Sequence, residues 1–267
     1  MQKAETQGNE DLIVEQSGRK VTFTKLVGEK RSVAEESIIR ESPITLYING
    51  QELVTLMCTP NKETYLIAGF LYLEGIISRL EDVLFMRVCV EESVADIRLT
   101  NDWKADPTTR TLTSGCGGGT TFVAEGDLKP VESNLQLTSV QIAKSMTSLM
   151  QGAVIHRATG GVHATALGDG DNLLILAEDV GRHNTLDKIA GQCFLLGVPT
   201  TDRIILTTGR ISSEMLAKVA KMRIPIVVSH SSPTDLAVKL AKDLNITIVG
   251  YARGKSCNIY THDWRIL

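Results

Sequence analysis

Residues 203–249 read RIILTTGRISSEMLAKVAKMRIPIVVSHSSPTDLAVKLAKDLNITIV, and this stretch decides the fold class. Short apolar runs alternate in it with amphipathic segments of helical length. This alternation is typical of parallel strands joined by crossover helices. It predicts an α/β sheet layered by helices, with strands at 203–207, 225–229 and 246–249 and helices at 213–222 and 233–244.

The residues just before this stretch extend the same domain. A helix is predicted to begin at Thr138 or Ser139, because either side chain can accept a hydrogen bond from the first turn. The turn sequence Asp169-Gly170-Asp171 separates apolar runs at 162–167 and 173–177, which predicts a hairpin. A further helix over 184–196 is expected to end at Gly197.

The first half of the chain has a different pattern. From Val21 onward the residues favour strands, and Asn49-Gly50 between runs at 44–48 and 51–57 predicts a type I′ hairpin. Thr59-Pro60 is expected to open a helix that stops at Gly75, and strands are predicted at 83–90 and 94–99. We therefore divide the chain into a frayed polar segment at 1–18, a smaller N-terminal α+β domain at 19–135 and an α/β domain at 136–267.

Composition and net charge disfavour several classes of function. The net charge of −3 disfavours a protein that binds nucleic acid mainly through phosphates, and no apolar run approaches the length of ~20 residues that a membrane helix needs. The polar N-terminus lacks the apolar core of a secretory signal, and the five cysteines are odd in number and far apart. We expect a cytoplasmic protein without disulfides, membrane insertion or a bound metal.

One cysteine lies in an unusual context, the loop Ser114-Gly115-Cys116-Gly117-Gly118-Gly119. Glycines let successive backbone N–H groups converge on a thiolate or persulfide, and they leave the sulfur open to a bulky partner. A flexible linker that happens to contain a cysteine explains the same residues, and this feature alone favours neither reading. The remaining cysteines are expected to be structural, and they are Cys58, Cys89, Cys193 and Cys257.

Cations recur where predicted strands give way to helices. Arg182 and His183 open one helix, and Arg210 lies in the equivalent place after the next strand. A cation opposes the helix dipole there, so these residues favour an anionic ligand such as a phosphate. His163 lies at the start of a strand after Gly160-Gly161, and a lone histidine is more often a core or hydrogen-bonding residue. With His183 and Asp179 it could also form an acid/base or metal cluster, but the spacing matches no strong metal motif.

Other polar residues at these junctions fit capping. Asp179 is expected to cap the helix that contains Arg182. In the third junction Ser232 is predicted to cap, with Pro233 in the first helical position and Asp235 completing a capping box. The segment Tyr251–Ser256 combines two cations, a glycine and a hydroxyl, which suits phosphate or guanine contacts but equally a solvated basic turn.

Several of these motifs together resemble the formate dehydrogenase accessory sulfurtransferase (FdhD) family, from about Ser42 to the C-terminus. The segments that carry the resemblance are Ser114–Gly119, Thr159–His163, Glu178–Asn184 with Asp187-Lys188, Thr208–Arg210 with Glu214-Met215, and Val249–Arg253. Family members accept sulfur from a cysteine desulfurase as a cysteine persulfide. They pass it to the molybdenum (or tungsten) bis-guanine-dinucleotide cofactor that formate dehydrogenase needs.

The resemblance implies specific roles in this chain. Cys116 corresponds to the persulfide cysteine, and the C-terminal domain is expected to be similar to cytidine deaminases in a homodimeric protein. The cofactor, with GDP as its mimic, is expected at Tyr251, Ala252, Arg253, Gly254, Lys255 and Ser256, with Arg182, His183, Arg210 and His163 lining the cleft. The family loop is often Cys-x-x-Cys, whereas Gly119 occupies the second position here, so a second loop thiol is absent from this mechanism.

Two other functions compete with sulfur transfer. A zinc deaminase on the same fold needs His-x-Glu and Pro-Cys-x-x-Cys, and the sequence contains neither. A non-catalytic chaperone that holds the guanine dinucleotide for insertion uses the same cleft without a reactive thiol. A gain of one sulfur atom on Cys116 distinguishes the two.

Overall fold

The computed structural model describes residues 12–103 and 128–267. The strands are β1 (Gly18–Val27), β2 (Lys30–Ile39), β3 (Ser42–Ile48), β4 (Gln51–Cys58), β5 (Val83–Cys89), β6 (Val94–Leu99), β7 (His163–Gly168), β8 (Leu173–Asp179), β9 (Ile204–Thr207), β10 (Ile226–Ser229), β11 (Thr247–Arg253) and β12 (Ser256–Ile259). The helices are α1 (Glu63–Leu73), α2 (Ser139–Gly152), α3 (Val154–Thr159), α4 (Arg182–Leu196), α5 (Ser213–Lys221) and α6 (Asp235–Asp243). The strands form three sheets, of two, four and six strands.

The N-terminal four-stranded sheet has the order β4-β3-β6-β5 and carries the predicted hairpin. Asn49 and Gly50 have φ of 51° and 84°, as a type I′ turn requires. The sheet follows a two-stranded hairpin of β1 and β2, and a helical turn at 12–17 precedes that hairpin within the segment expected to be frayed. Ser17 in this turn is buried and bonded to Arg40 and Asn61.

The six-stranded sheet has the order β12-β11-β10-β9-β7-β8, and it confirms the predicted α/β class. Strands β9, β10 and β11 run parallel and are joined by α5 and α6, whereas β7, β8 and β12 complete the sheet with antiparallel pairs. Leu206, Val228 and Val249 are buried at its centre. The carboxyl ends of the parallel strands therefore meet at one edge, as expected for a ligand site in an α/β sheet.

Helix α1 begins at Glu63, three residues after the predicted start. Thr59 is fully buried, its N–H donates to Asp179 and its hydroxyl accepts from Val180 N, so the chain bends at 60–62 instead of forming a first helical turn. From Leu66 to Leu73 every residue except Tyr72 is buried. A helix that is apolar all round must be covered on several sides.

Helix α1 packs against α4, and the two helices cross at a pair of glycines, Gly69 and Gly191. A Cβ on Gly69 would overlap the carbonyl oxygen of Asp187, and a Cβ on Gly191 would overlap that of Tyr65. Only glycine permits backbones to approach this closely. The N-terminal sheet and the six-stranded sheet are thus joined by direct helix–helix packing.

Two capping predictions were wrong and one was confirmed. Thr138 caps α2, where its hydroxyl accepts from Gln141 N at 3.2 Å. Helix α6 begins later than expected, because Thr234 is its N-cap and accepts from Ala237 N at 3.3 Å. Ser232 instead offers its carbonyl to Ile211 N. The cap of α4 is Gly181, so Asp179 does not cap that helix and has the role described below.

No helix within the described ranges has both the length and the apolar character that crossing a bilayer requires.

Candidate functional site

Three loops meet at the carboxyl edge of the six-stranded sheet, and hydrogen bonds tie them together. Ser229 Oγ donates to the carbonyl of Gly209 at 2.6 Å, and His230 N donates to the carbonyl of Thr207 at 2.9 Å. The loop after β9 is thereby fixed against the loop after β10. Together with the turn before α4, these loops form the candidate cleft.

Gly209 brings the predicted cations together. A Cβ at this position would lie 3.1 Å from Arg182 Cβ and 3.5 Å from His163 Nδ1, so only a glycine allows this close packing without displacement. Arg210 follows and is exposed. Arg182 Nε is buried and has no hydrogen-bond partner among the residues that the structure describes. A buried charged donor of this kind calls for an acceptor, and an anionic ligand would supply it.

The buried side chain of Asp179 holds the start of α4 through hydrogen bonds. Its Oδ1 accepts from Gly181 N at 2.9 Å and from Asn184 Nδ2 at 2.8 Å. Its Oδ2 lies 2.6 Å from Lys188 Nζ, and both side chains are fully buried. Asp179 therefore forms a buried ion pair instead of the predicted cap. Both partners make a further hydrogen bond, since Asp179 accepts from Thr59 N and Lys188 donates to Asn61 Oδ1.

Two pairs of polar side chains connect α4 to α5. Lys218 Nζ lies 2.7 and 2.9 Å from the carboxylate oxygens of Asp187. One turn nearer the cleft, His183 Nε2 lies 3.2 Å from Glu214 Oε2. Glu214 had no predicted role, although residues four apart share one face of a helix, as His183 and Asp187 do in α4 and Glu214 and Lys218 do in α5.

The cleft holds its imidazoles in the neutral form. Burial lowers the pKa of His183 to about 3, with further lowering by the charges of Lys218, Arg182 and His163. Burial also lowers the pKa of His163, which lies opposite Asp179 in the β7–β8 ladder, and Arg182 and His156 add to that effect. A ligand in this cleft would therefore meet guanidinium charges and neutral imidazoles at neutral pH.

The segment Tyr251–Ser256 forms the β11–β12 hairpin next to the third loop. Tyr251 adopts a left-handed backbone with φ of 50°, and Arg253 Cζ lies 5.8 Å from its ring centroid. Arg253 Nε donates to the carbonyl of His230 at 3.1 Å. Gly254, Lys255 and Ser256 are exposed. Ala252 was also predicted in the site, but its side chain is buried in the core and only its backbone can face a ligand.

Two histidines without a predicted role, His156 and His230, also lie near this edge. His230 has its pKa lowered by burial and by the charges of Arg253 and His156, which places all three in one electrostatic environment. His156 N donates to Glu178 Oε1 at 2.7 Å, so the carboxylate holds the start of α3. Neither residue lies in a pattern that sequence alone marks as a site.

Cys116 lies outside the described residues. Of the cysteines that the structure describes, Cys58 and Cys193 are buried as predicted, and burial raises their pKa values to about 12 and about 11. Cys89 was expected in the core but is only half-buried, because β5 is an edge strand. Cys257 packs beside the core of the six-stranded sheet, and burial raises its pKa.

In the described ranges, no three side chains of the types that ligate metals come together.

Comparisons with known proteins agree in length and in fold. The chain is 40% identical over 244 residues to the sulfur carrier protein FdhD of Bacillus subtilis (strain 168), an alignment covering 88% of this chain and 92% of that protein. It is 37% identical over 237 residues to the sulfur carrier protein FdhD of Staphylococcus haemolyticus, covering 86% and 90%.

A solved structure from Desulfotalea psychrophila, provisionally described as a formate dehydrogenase accessory protein, superposes with a TM-score of 0.79 at 25% identity. That match covers 94% of this chain and all of the other. The model of the FdhD/NarQ family matches residues 39–267, which include every element of the cleft. With relatives of matching length and a shared fold, this chain belongs to the FdhD/NarQ family.

Proposed function

We propose that this protein is a sulfurtransferase that carries sulfur as a persulfide on Cys116 and delivers it to a molybdenum (or tungsten) bis-guanine-dinucleotide cofactor. In the loading step the Cys116 thiolate attacks the outer sulfur of a persulfide on a cysteine desulfurase. A new S–S bond forms on Cys116, the S–S bond of the donor breaks, and the donor cysteine leaves as a thiolate. The acceptor cofactor is the substrate, destined for formate dehydrogenase.

The observation that carries the proposal is the unpartnered Arg182 Nε at the N-terminus of α4, beside Gly209 and Arg210. A guanine dinucleotide is large and anionic, and its pyrophosphate suits a helix N-terminus flanked by guanidinium groups. The exposed Tyr251 ring, held near Arg253, offers a surface on which a guanine could stack. The names of the relatives, sulfur carrier proteins, support a cargo of sulfur.

The surroundings of three described cysteines, Cys58, Cys193 and Cys257, support the choice of Cys116. A sulfur carrier needs a thiolate that donor and acceptor can reach. Burial works against the thiolate in Cys58 and Cys193, and it raises the pKa of Cys257 as well. In the sequence Cys116 is flanked by glycines, which have no side chains that could cover its thiol.

Release of the persulfide sulfur as sulfide requires a reductant. Gly119 provides no resolving thiol, so in this proposal two external thiols supply the two electrons. The first attacks the inner sulfur of the persulfide, so that sulfide leaves and a mixed disulfide forms on Cys116. The second attacks that mixed disulfide, which releases the external disulfide and returns Cys116 to a thiolate. The protein partners are the desulfurase, formate dehydrogenase and a second copy of the chain.

The test is mass spectrometry of the intact protein after incubation with a cysteine desulfurase and cysteine. The wild type and the matched control Cys257→Ala are expected to gain one sulfur atom that a reductant removes. Cys116→Ala is expected to gain none and to leave formate dehydrogenase inactive in cells that lack the wild-type protein. Sulfur on Cys116→Ala, or full formate dehydrogenase activity with it, would refute the assignment.

The alternative, a cofactor-binding chaperone, has the same cleft in its favour. It predicts GDP binding without any sulfur adduct on the wild type. The same mass spectra therefore separate the two functions.

A further inference from the structure

Three fully buried threonines connect the elements that carry the cations of the cleft. Thr165 lies in β7, Thr185 in α4 and Thr207 in β9. Thr165 Oγ1 lies 2.6 Å from Thr185 Oγ1 and 3.1 Å from Thr207 Oγ1. A strand in the middle of the sheet is thereby linked through side chains to the helix on one side and to the neighbouring strand on the other.

The direction of each hydrogen bond follows from a count of protons, because a threonine hydroxyl has only one proton to donate. Thr185 donates to the carbonyl of Arg182 at 2.7 Å. Thr165 must therefore donate to Thr185, and Thr207 must donate to Thr165. Gly209 N donates to Thr207 Oγ1 at 3.1 Å and completes the series. We call this series, from Gly209 N to the Arg182 carbonyl, the hydroxyl chain.

The two ends of the hydroxyl chain meet again in the cleft. A Cβ at Gly209 would lie 3.1 Å from Arg182 Cβ and 3.6 Å from Arg182 Cδ. Gly209 is also held through its carbonyl, which accepts from Ser229 Oγ at 2.6 Å. The backbone of the loop after β9 and the first turn of α4 are thus in contact directly and are bonded through the three hydroxyls.

Thr165 is the central member of the hydroxyl chain. Its backbone is fixed by the sheet, since it pairs with Ala177 of β8 and with Thr207 of β9. Its hydroxyl accepts from Thr207 and donates to Thr185, so both neighbours depend on it. Valine has a similar shape but no hydroxyl, and Thr165→Val would leave the buried hydroxyl of Thr207 without its acceptor.

We infer that Thr165 is a positioning residue for the anionic ligand, because its hydroxyl holds the first turn of α4 against the loop after β9 and so keeps Arg182 beside Gly209. Arg182 Nε is buried and has no hydrogen-bond partner within the described ranges, so its use by a ligand depends on where the backbone places it. A hydrogen bond weakens steeply when donor and acceptor lose their distance and angle. The inference rests on the proposed function, in which this cleft binds a guanine dinucleotide.

Isothermal titration calorimetry of the full-length protein with GDP tests the inference. The variants are Thr165→Val, which removes the hydroxyl, and Thr165→Ser, which keeps it. Thr45→Val is the matched control, because Thr45 Oγ1 lies 2.8 Å from Thr55 Oγ1 and the change breaks a threonine pair in the N-terminal sheet.

We expect Thr165→Val to weaken GDP binding about 3-fold to 10-fold, the equivalent of one impaired hydrogen bond. Thr165→Ser is expected to stay within about 2-fold of the wild type, because serine has the same donor and acceptor. Thr45→Val is expected to bind GDP like the wild type. Thr185→Val breaks the hydroxyl chain at the bond to Arg182 and is expected to weaken binding as Thr165→Val does, which tests the inference even if Thr165→Val fails to fold.

Amide hydrogen exchange without ligand provides a second measurement. Gly209 N is expected to exchange faster in Thr165→Val than in the wild type, because its acceptor Thr207 has lost its own partner. Thr208 N, which donates to the carbonyl of Ala164 at 3.0 Å, is the internal reference and is expected to keep its rate. A general loss of stability would accelerate both amides.

Wild-type affinity in both valine variants of the hydroxyl chain overturns the inference, even if Arg182→Ala has lost affinity for GDP. So does a Thr165→Ser variant that loses as much affinity as Thr165→Val, since the hydroxyl would then have no part in the effect. Absence of GDP binding to the wild type, or unchanged affinity in Arg182→Ala, instead overturns the ligand site of the proposed function, and the positioning role of Thr165 falls with it.

Discussion

Lys218 Nζ lies 2.7 Å from Asp187 Oδ1, one helical turn beneath the contact between His183 and Glu214. Burial raises the pKa of Asp187 to about 6, so the carboxylate is still ionised at neutral pH. Burial alone would lower the pKa of Lys218, but Asp187 and Glu74 outweigh it and raise that pKa. The pair is thus a charged link between two helices whose N-termini line the cleft.

Removing the cation from this link is expected to be costly. Lys218→Met leaves the buried carboxylate of Asp187 without its lysine, and we expect a loss of about 3–5 kcal/mol in the free energy of unfolding. Urea denaturation followed by circular dichroism measures it. The control Arg79→Ala removes a pair with an exposed arginine at the surface, where the loss is expected to stay below about 1 kcal/mol. Equal losses in the two variants would contradict a structural role for the buried pair.

At the crossing of α1 and α4, one added methyl group is expected to lower the stability of the protein strongly. Gly191→Ala places a Cβ into the carbonyl of Tyr65, and the helices must move apart, with an expected loss of about 3 kcal/mol or more. Gly152→Ala is the matched control, because its Cβ would meet only the flexible side chain of Leu176 at 3.0 Å. Thermal unfolding of both variants is the measurement, and a Gly191→Ala variant as stable as the control would show that the crossing tolerates separation.

His183 makes stability depend on pH. In the unfolded chain a histidine titrates near ~6.5, whereas burial lowers the pKa of His183 to about 3 in the fold. As the pH falls below ~6.5 the unfolded state binds the proton first, so stability is lost, by about 2 kcal/mol at about pH 5 for this residue.

Denaturation of the wild type and of His183→Gln at neutral and acidic pH isolates this effect. The variant is expected to lose less stability between the two conditions, because the titrating group is gone. Parallel curves for the two proteins would show that His183 titrates normally in the folded state.

Arg182 is predicted to bind the ligand through its unpartnered Nε. Arg182→Ala is expected to weaken GDP binding about 10-fold to 100-fold, the range of a charge-assisted hydrogen bond. Isothermal titration calorimetry measures the affinity. Arg98→Ala is the control, since Arg98 pairs with Asp96 in the N-terminal sheet and should leave the affinity unchanged. Unchanged affinity in Arg182→Ala would place the phosphates elsewhere.

Thiol reactivity should rank the cysteines. Alkylation of the native protein with iodoacetamide near neutral pH is expected to modify Cys116 first and to spare Cys58 and Cys193, which are buried with raised pKa values. Peptide mass spectrometry over time provides the order, and denatured protein provides the reference in which all sites react. Early modification of Cys58 in the native state would be inconsistent with its burial.

Local sequence patterns were sufficient to predict the order of the strands and helices. Asn49-Gly50 formed the predicted hairpin because its turn depends only on neighbouring residues, and Thr138 capped α2 for the same reason. The placement of Arg182 and Arg210 at strand-to-helix junctions followed from the alternation of β and α segments, which the sheet order confirms. The amino-acid sequence by itself therefore determined the fold class and the edge of the sheet at which Arg182 and Arg210 lie.

The tertiary structure alone decided how those residues are held. Asp179 accepts a hydrogen bond from Thr59 N, Glu214 contacts His183 between two helices, and Gly69 packs against Asp187 where α1 crosses α4. Each contact joins positions far apart in the chain, so propensity and periodicity, which describe only near neighbours, carry no information about it. Burial then sets the charge states in the cleft, and burial exists only once the distant segments have packed.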